Sequence, residues 1–212
     1  PFEGGANMID KVKGKRIGAD FNEYLIAMWK ELQRGWTPPS SVSEDDWRDV
    51  KTQMENKYEK HYIAFVRLGC SFGADWNGGY ARNVRKDKPN ADLLNSTTKS
   101  YCGQSKRNIL KQLPNLKDVE FVNCSYQDLE IPKNSLIYCD PPYEGTTKYK
   151  DDFNHTEFWE WCRDKTKEGH KVFISEYNAP EDFKCVYEHE LNNTLNNTAK
   201  TTKAIEKLFT LE

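Results

Sequence analysis

The sequence predicts an α/β fold: a mostly parallel sheet with an antiparallel C-terminal edge. Three observations lead there. Short apolar runs of strand type alternate with stretches of helical period along most of the chain. The tail instead offers two strand-like runs in succession, residues 183–191 and 204–211, joined by a polar Asn/Thr loop, which suits an antiparallel pair. Finally, the apolar run Leu136-Ile137-Tyr138 leads through Cys139 into Asp140-Pro141-Pro142-Tyr143. Proline has a fixed φ and no N–H, so a ladder ends there. Open α/β folds keep their ligand sites beyond the carboxyl ends of strands. On these residues alone, a strand-ending turn with an incidental tyrosine and a ligand site fit equally well.

Taken in order, Pro1-Phe2-Glu3-Gly4-Gly5-Ala6-Asn7 reads as a glycine turn before the apolar Met8 and Ile9. Small residues there let backbone approach a ligand and offer it N–H groups. Residues 16–21 alternate as a strand ending in Asp20 and Phe21. Asn22 then opens a helix whose Leu25, Ile26, Met28, Trp29 and Leu32 keep helical spacing until Gly35. Asp20 suits two roles, an acid that bonds ribose hydroxyls at a strand tip or an acid placed near a helix N-terminus. Residues 36–41 read as a linker, and residues 43–61 as one charged amphipathic helix capped by Ser41 or Ser43. Residues 67–82 have no helical period, four glycines, and Phe72, Trp76 and Tyr80 at intervals of four. Aromatics interleaved with arginine in such a loop suit contacts to bases and phosphates. An ordinary loop whose aromatics pack on the core is the alternative. Residues 98–113 predict a basic helix stopped by Pro114, and residues 119–124 a strand followed by Ser125-Tyr126-Gln127-Asp128. A helix capped by Asn154 or Thr156 ends at Gly169, and a buried strand spans 171–177.

The chain carries a net charge of −2 over 212 residues, so there is no global basic signal for a polyanion. Its distribution is uneven. From Arg67 to Lys111 nine bases face three acids, a net +6 that leaves −8 for the remainder. A polyanion-binding module in an acidic scaffold fits that pattern, as does a solvated charged surface. No run approaches 18 apolar residues and no basic-apolar leader is present, so neither a membrane span nor a signal peptide is expected. Six scattered cysteines without a C-x-x-C pair predict reduced thiols rather than a disulfide frame or a zinc site, and hence a cytoplasmic protein without a metal. Asn-x-Ser/Thr triplets, for example at Asn95 and Asn192, carry no weight without a secretory signal.

The glycine turn, the basic insert and D-P-P-Y, in that order, resemble the Dam-like (D12 class) DNA adenine-N6 methyltransferases of phage and prophage type. Pro1-Phe2-Glu3-Gly4-Gly5-Ala6 is similar to that family's E-P-F-x-G-x-G cofactor loop, with Ala6 at the last glycine. Asp20-Phe21-Asn22 is similar to its D-x-N, Ser125–Asp128 to the segment at the cofactor's adenine end, and Asp140–Tyr143 to its catalytic motif. The chain opens inside the first of these, so further sequence is expected upstream, including the family's W-x-G-G-K segment.

The resemblance implies a Rossmann-like S-adenosylmethionine-dependent methyltransferase fold. Residues 1–40 and 112–212 would form the catalytic domain and residues 41–111 an inserted target-recognition region. It implies methyl transfer to adenine N6 in a specific double-stranded DNA sequence, as in restriction–modification, with base flipping and direct in-line transfer. Asp140, Pro141, Pro142 and Tyr143 would be catalytic. Pro1, Phe2, Gly4, Gly5, Ala6, Asn7, Asp20, Phe21, Tyr126, Asp128 and Asp140 would bind the cofactor. Arg67, Ser71, Phe72, Trp76, Tyr80, Arg82, Arg85, Lys106 and Arg107 would contact DNA. Two alternatives stay open: another planar amine as acceptor (cytosine N4, RNA adenine or a glutamine amide), or a non-catalytic DNA-binding relic.

Overall fold

A computed structural model of the protein describes residues 1–82, 101–145, 153–191 and 204–211. By their contacts they group into two units, Gly4–Asn123, and Pro1–Glu3 with Cys124–Glu212. Arg85, the other bases from Lys86 to Lys99, Asn95, Asn192 and the predicted helix start at Thr98 lie outside the described residues.

In the unit Gly4–Asn123, β1 (Arg16–Asp20) pairs in parallel with β2 (Val119–Asn123), Arg16 opposite Val119 and Asp20 opposite Asn123. Helix α1 (Glu23–Gln33) follows β1 directly because Asn22 caps it, its side-chain oxygen accepting the N–H groups of Tyr24 and Leu25. The helix ends where predicted, with Gly35 at φ +100° just past it. Its apolar face buries Leu25, Ile26, Met28, Trp29 and Leu32, and the Trp29 ring stacks on Phe121 of β2 at 5.9 Å. Gln33 Nε2 donates to the carbonyls of Leu116 (2.7 Å) and Val119 (2.8 Å), which joins the end of α1 to the start of β2.

Two helix expectations need correction here. Residues 43–61 do not form one helix. Ser43 does cap α2 (Glu44–Gln53), but Met54 turns to φ +47°, a short 3-10 turn follows, and α3 (Lys60–Ala64) starts afresh. The break lets Val50 and Trp47 of α2 and Ile63 of α3 bury in one core, which one straight amphipathic stripe would not achieve. A wider π-turn, Phe65–Gly69, continues from α3. Pro114 does not stop its helix, since α4 (Tyr101–Leu116) runs through it. Only the last turn is left with a missing N–H there, and burial of Leu116 carries the helix to its end.

The other unit carries a four-stranded sheet ordered β3-β4-β6-β5. Strand β3 (Leu136–Cys139) pairs in parallel with β4 (Lys171–Glu176), Leu136 opposite Lys171. The connection between them contains α5 (His155–Lys167), capped by Asn154. Strands β5 (Lys184–Leu191) and β6 (Ala204–Thr210) are antiparallel, and β6 is also antiparallel to β4. Ile137, Cys139, Val172, Ile174 and Phe209 pack with Phe158, Trp159 and Cys162 of α5.

The α/β class thus stands, and β5 is the expected antiparallel edge. The mostly parallel sheet is met only in part. Among the described residues there are a parallel pair and a mixed four-stranded sheet, in which β6 lies inside, between β4 and β5. Periodicity identified the strands, but direction is set by pairing partners that lie far apart in sequence.

Candidate active site

Strand β3 ends at Cys139, fully buried, because Pro141 and Pro142 cannot continue a ladder. Asp140 therefore stands at the strand tip, Pro141 is buried, and Tyr143 folds back over the neighbouring strands. Its phenol donates to Glu206 Oε1 on β6 and lies 2.7 Å from Ser175 Oγ on β4. Ser175 Oγ itself donates to Glu206 Oε1 at 3.2 Å. The Tyr177 ring meets Tyr143 edge-on, at 4.8 Å and 83°. Two residues before Asp140, the Tyr138 phenol is pushed up to about 12, chiefly by burial and then by the Asp140 charge.

The electrostatics set Asp140 apart from a surface acid. Asp140 as a residue is exposed, yet protein packed around its carboxyl raises its pKa by desolvation. The nearby Glu206 charge pushes the same way, and the neighbouring Tyr143 hydroxyl opposes. Burial also raises the Tyr143 phenol, so it stays a donor. Beside them Glu176, 1% exposed, accepts N–H groups from Glu144 (3.0 Å) and Tyr177 (2.7 Å), and burial raises its pKa.

The sequence missed Ser175, Glu176, Tyr177 and Glu206. A usable signal was Ser175-Glu176 closing the buried run Val172–Ile174, an acid at a strand end just like Asp20 and Asp140. Glu206 had none, because only the β4–β6 pairing brings it to Tyr143.

The glycine turn is built from left-handed residues, with φ +59° at Phe2, +47° at Gly4 and +57° at Ala6. Ala6 thus occupies a conformation that favours the glycine of the resembled pattern. Within the unit Gly4–Asn123, the Gly4 N–H donates to Asp20 Oδ2 at 3.1 Å and the Asn22 N–H to Asp20 Oδ1 at 2.8 Å. Trp29 Nε1 holds the Gly4 carbonyl at 3.2 Å, and Gln112 Nε2 bonds the Gly5 carbonyl and Asn7 Oδ1. Beside Gly4 there is open space: a Cβ would meet nothing within 4 Å. Phe21, next to Asp20, is 83% exposed. In the other unit, Phe2 packs on Tyr126 (5.5 Å), Phe153 and Phe158, while Asp128 closes a turn onto the Ser125 carbonyl. A carboxylate with spare lone pairs beside an open glycine turn and an exposed ring fits the ribose and base of a nucleoside-containing cofactor.

The predicted DNA-contacting residues divide. Arg67 is buried, its guanidinium bonded to the Trp76 carbonyl and stacked on the Trp76 ring at 4.8 Å. Ser71 is buried and accepts Trp47 Nε1 at 3.0 Å, and Tyr80 donates its hydroxyl to the Val42 carbonyl at 2.7 Å. These four residues, Trp76 included, hold the loop closed. Phe72 is 54% exposed, and Arg82 is exposed and paired with Glu44. Lys106 bonds Ser40 Oγ, and Arg107 is exposed on α4 beside Gln104. Among the described residues no cluster of His, Cys, Asp or Glu could hold a metal ion, and no helix is long and apolar enough to cross a membrane. All six cysteines are unbridged.

The strand-tip acid, the proline pair and the restrained tyrosine all lie within a stretch that matches a methyltransferase family. Residues 94–209, over half of the chain, match the D12 class N6 adenine-specific DNA methyltransferase family, and the chain belongs to that family. It is accordingly an adenine-specific DNA methyltransferase of a family that uses S-adenosylmethionine. No curated protein matches the chain.

Proposed function

We propose that this protein methylates adenine N6 within a specific double-stranded DNA sequence, and that Asp140–Tyr143 carry out the transfer on a flipped base. The observation that carries the reading is an acid at the tip of β3, followed by two prolines and a tyrosine tethered to β4 and β6.

The chemistry explains the residue types. An adenine amino group is a weak nucleophile because its lone pair is delocalised into the ring. Asp140 and the Pro141 carbonyl accept its two hydrogens, which draws the nitrogen towards tetrahedral geometry and frees the lone pair. The two prolines fix the backbone that carries these acceptors, so they are oriented before charge develops. Tyr143 stacks on the extruded base. Stacking returns roughly 1–3 kcal/mol against an extrusion cost of about a few kcal/mol.

S-adenosylmethionine supplies the electrophilic methyl group when bound. Asp20 would hold its ribose hydroxyls, the Gly4–Asn7 turn would offer backbone N–H groups and Phe21 its exposed ring; Pro1, Phe2, Tyr126 and Asp128, in the other unit, are assigned to the cofactor by the resemblance alone. The Gly4 N–H that donates to Asp20, with open space beside that glycine, supports this assignment. The Rossmann-like reading and the division into a catalytic part (1–40 and 112–212) and a target-reading part (41–111) belong to the same proposal. Phe72, Arg82, Lys106 and Arg107 suit direct DNA contact, with Arg67, Ser71, Trp76 and Tyr80 supporting the loop.

Labelled methyl transfer from S-adenosylmethionine to unmethylated DNA, using the full-length protein with an Asp140→Ala control, tests this. Transfer that survives Asp140→Ala would sink the mechanism. DNA binding without any transfer would favour a relic.

A further inference from the structure

Tyr143 is held by more than its own backbone. Ser175 lies opposite Leu208 in the β4–β6 register, and Glu206 is two residues from Leu208, so both side chains project from the same face of the sheet. There they converge on the Tyr143 hydroxyl, Ser175 Oγ at 2.7 Å and Glu206 Oε1 as the acceptor of its proton. Tyr177 flanks the ring, and Glu176 grips the N–H of the next residue, Glu144. Two neighbouring strands thus fix a ring whose reach would otherwise be free to vary.

We propose that Glu206, which accepts the Tyr143 hydroxyl directly with Ser175 beside both, is a positioning residue for methyl transfer. This rests on the reading of Asp140–Tyr143 as the catalytic site. Two effects follow from the geometry. The tether sets the plane of the ring before the base arrives, so orientation is settled in advance. A carboxylate accepting from a phenol is also a charge-assisted bond that shifts electron density into the ring. A more negative ring face favours the positive charge that grows on the amino nitrogen as the methyl group is added. That charge exists in the transition state and not in the bound substrate, so the contribution belongs to kcat.

The competing explanation is that Glu206 merely staples β6 to β4. A double-mutant cycle in the full-length protein separates the two, with Glu206→Gln, Tyr143→Phe and the double variant. Each is measured for single-turnover transfer rate, KM for DNA and thermal midpoint. The expected result is a loss of about tenfold in rate for each single variant, in the coupling range of groups sharing one network. KM for DNA is expected to change less than about twofold, and the double variant to be no slower than the worse single one. Additive losses, or a lowered midpoint with an unchanged rate, would overturn the proposal. If Glu206→Gln does not fold, Tyr143→Phe reports on the same bond from its other end, and a wild-type rate there overturns it too. Asp140→Ala is the separating control. If it is inactive while Glu206→Gln is normal, only this inference fails. If it transfers normally, the reading of the site fails first.

Discussion

Glu176, at the end of β4, accepts the backbone N–H of Glu144 at 3.0 Å through one carboxylate oxygen while the other takes the Tyr177 N–H at 2.7 Å. The turn that follows Tyr143 is therefore fastened to the strand beside it by a side chain with almost no exposed surface. Glu176→Ala removes both acceptors at once. Each N–H that water then fails to reach costs about 1–3 kcal/mol. Denaturant unfolding should show a loss in that range, and a change below about 0.5 kcal/mol, the scale of ordinary surface substitutions, would mean the clamp is not structural.

The same residue gives a stability profile with a definite sign. Burial raises the Glu176 pKa in the folded protein, while the unfolded chain titrates near the ordinary value of about 4.3. Between those two values the native state holds more protons than the unfolded state, so stability falls as pH rises. The contribution is full below about pH 4.3 and is lost as pH rises through the folded value. Measured against Glu176→Gln, which cannot titrate, wild-type stability should decline from mild acid towards neutrality. An increase over that interval would show that the two backbone N–H bonds outweigh desolvation.

Asp140 carries the equivalent prediction for activity. The mechanism needs its carboxylate, and desolvation with the Glu206 charge raises its pKa. The acid limb of the rate profile should therefore fall at a pH above the aspartate norm of about 3.9. Asp140→Asn should lower the transfer rate by about a hundredfold or more, the cost of losing one oriented charge-stabilising group. Glu206→Gln should move the acid limb back down, because it removes a charge that raises Asp140. An unmoved limb would assign it to another group.

These sites differ in how far they could be read without coordinates. Asp140–Tyr143, Asp20 and the caps Asn22, Ser43 and Asn154 are legible because each depends on neighbours in sequence: a strand tip, a turn, a helix start. Glu206 is not, since it lies 63 residues from the tyrosine it bonds and reaches it only through strand pairing. The break at Met54 was hidden for a related reason. Residues 43–61 keep a helical pattern, and only packing of Trp47, Val50 and Ile63 into one core decides that the chain must turn between them. The Gly-rich loop shows the reverse. Its aromatics suggested contact with bases, yet burial of Arg67 and Ser71 gives part of that pattern an internal use.

Asp20 links the cofactor assignment to a measurable loss. Its two oxygens already order the glycine turn and the start of α1. If the same carboxylate holds ribose hydroxyls, Asp20→Ala removes a hydrogen bond to a charged group, worth about 1.5–3 kcal/mol. That corresponds to roughly 10- to 150-fold weaker binding of S-adenosylmethionine, readable by calorimetry without any turnover. Asn22→Ala is the control for the local structure. It removes the α1 cap at a cost of about 1 kcal/mol and should leave cofactor affinity within about twofold, as expected of a cap that does not touch the ligand.

Charge on α4 gives the last test, because it separates phosphate contact from a solvated surface. Arg107 and Lys111 are four residues apart, hence on one face of the helix, and both are exposed. If that face follows the DNA backbone, Arg107→Ala and Lys111→Ala should weaken binding to specific and unrelated duplexes alike. Each should also reduce the slope of log affinity against log salt by about 1, the counterions no longer released. Lys167 on α5, paired with Asp164, is the comparison, and Lys167→Ala should leave the slope unchanged. A wild-type slope in both α4 variants would move the phosphate contacts away from this helix. A loss confined to one sequence would instead make Arg107 or Lys111 a reader of base edges, since phosphate contacts carry no sequence information.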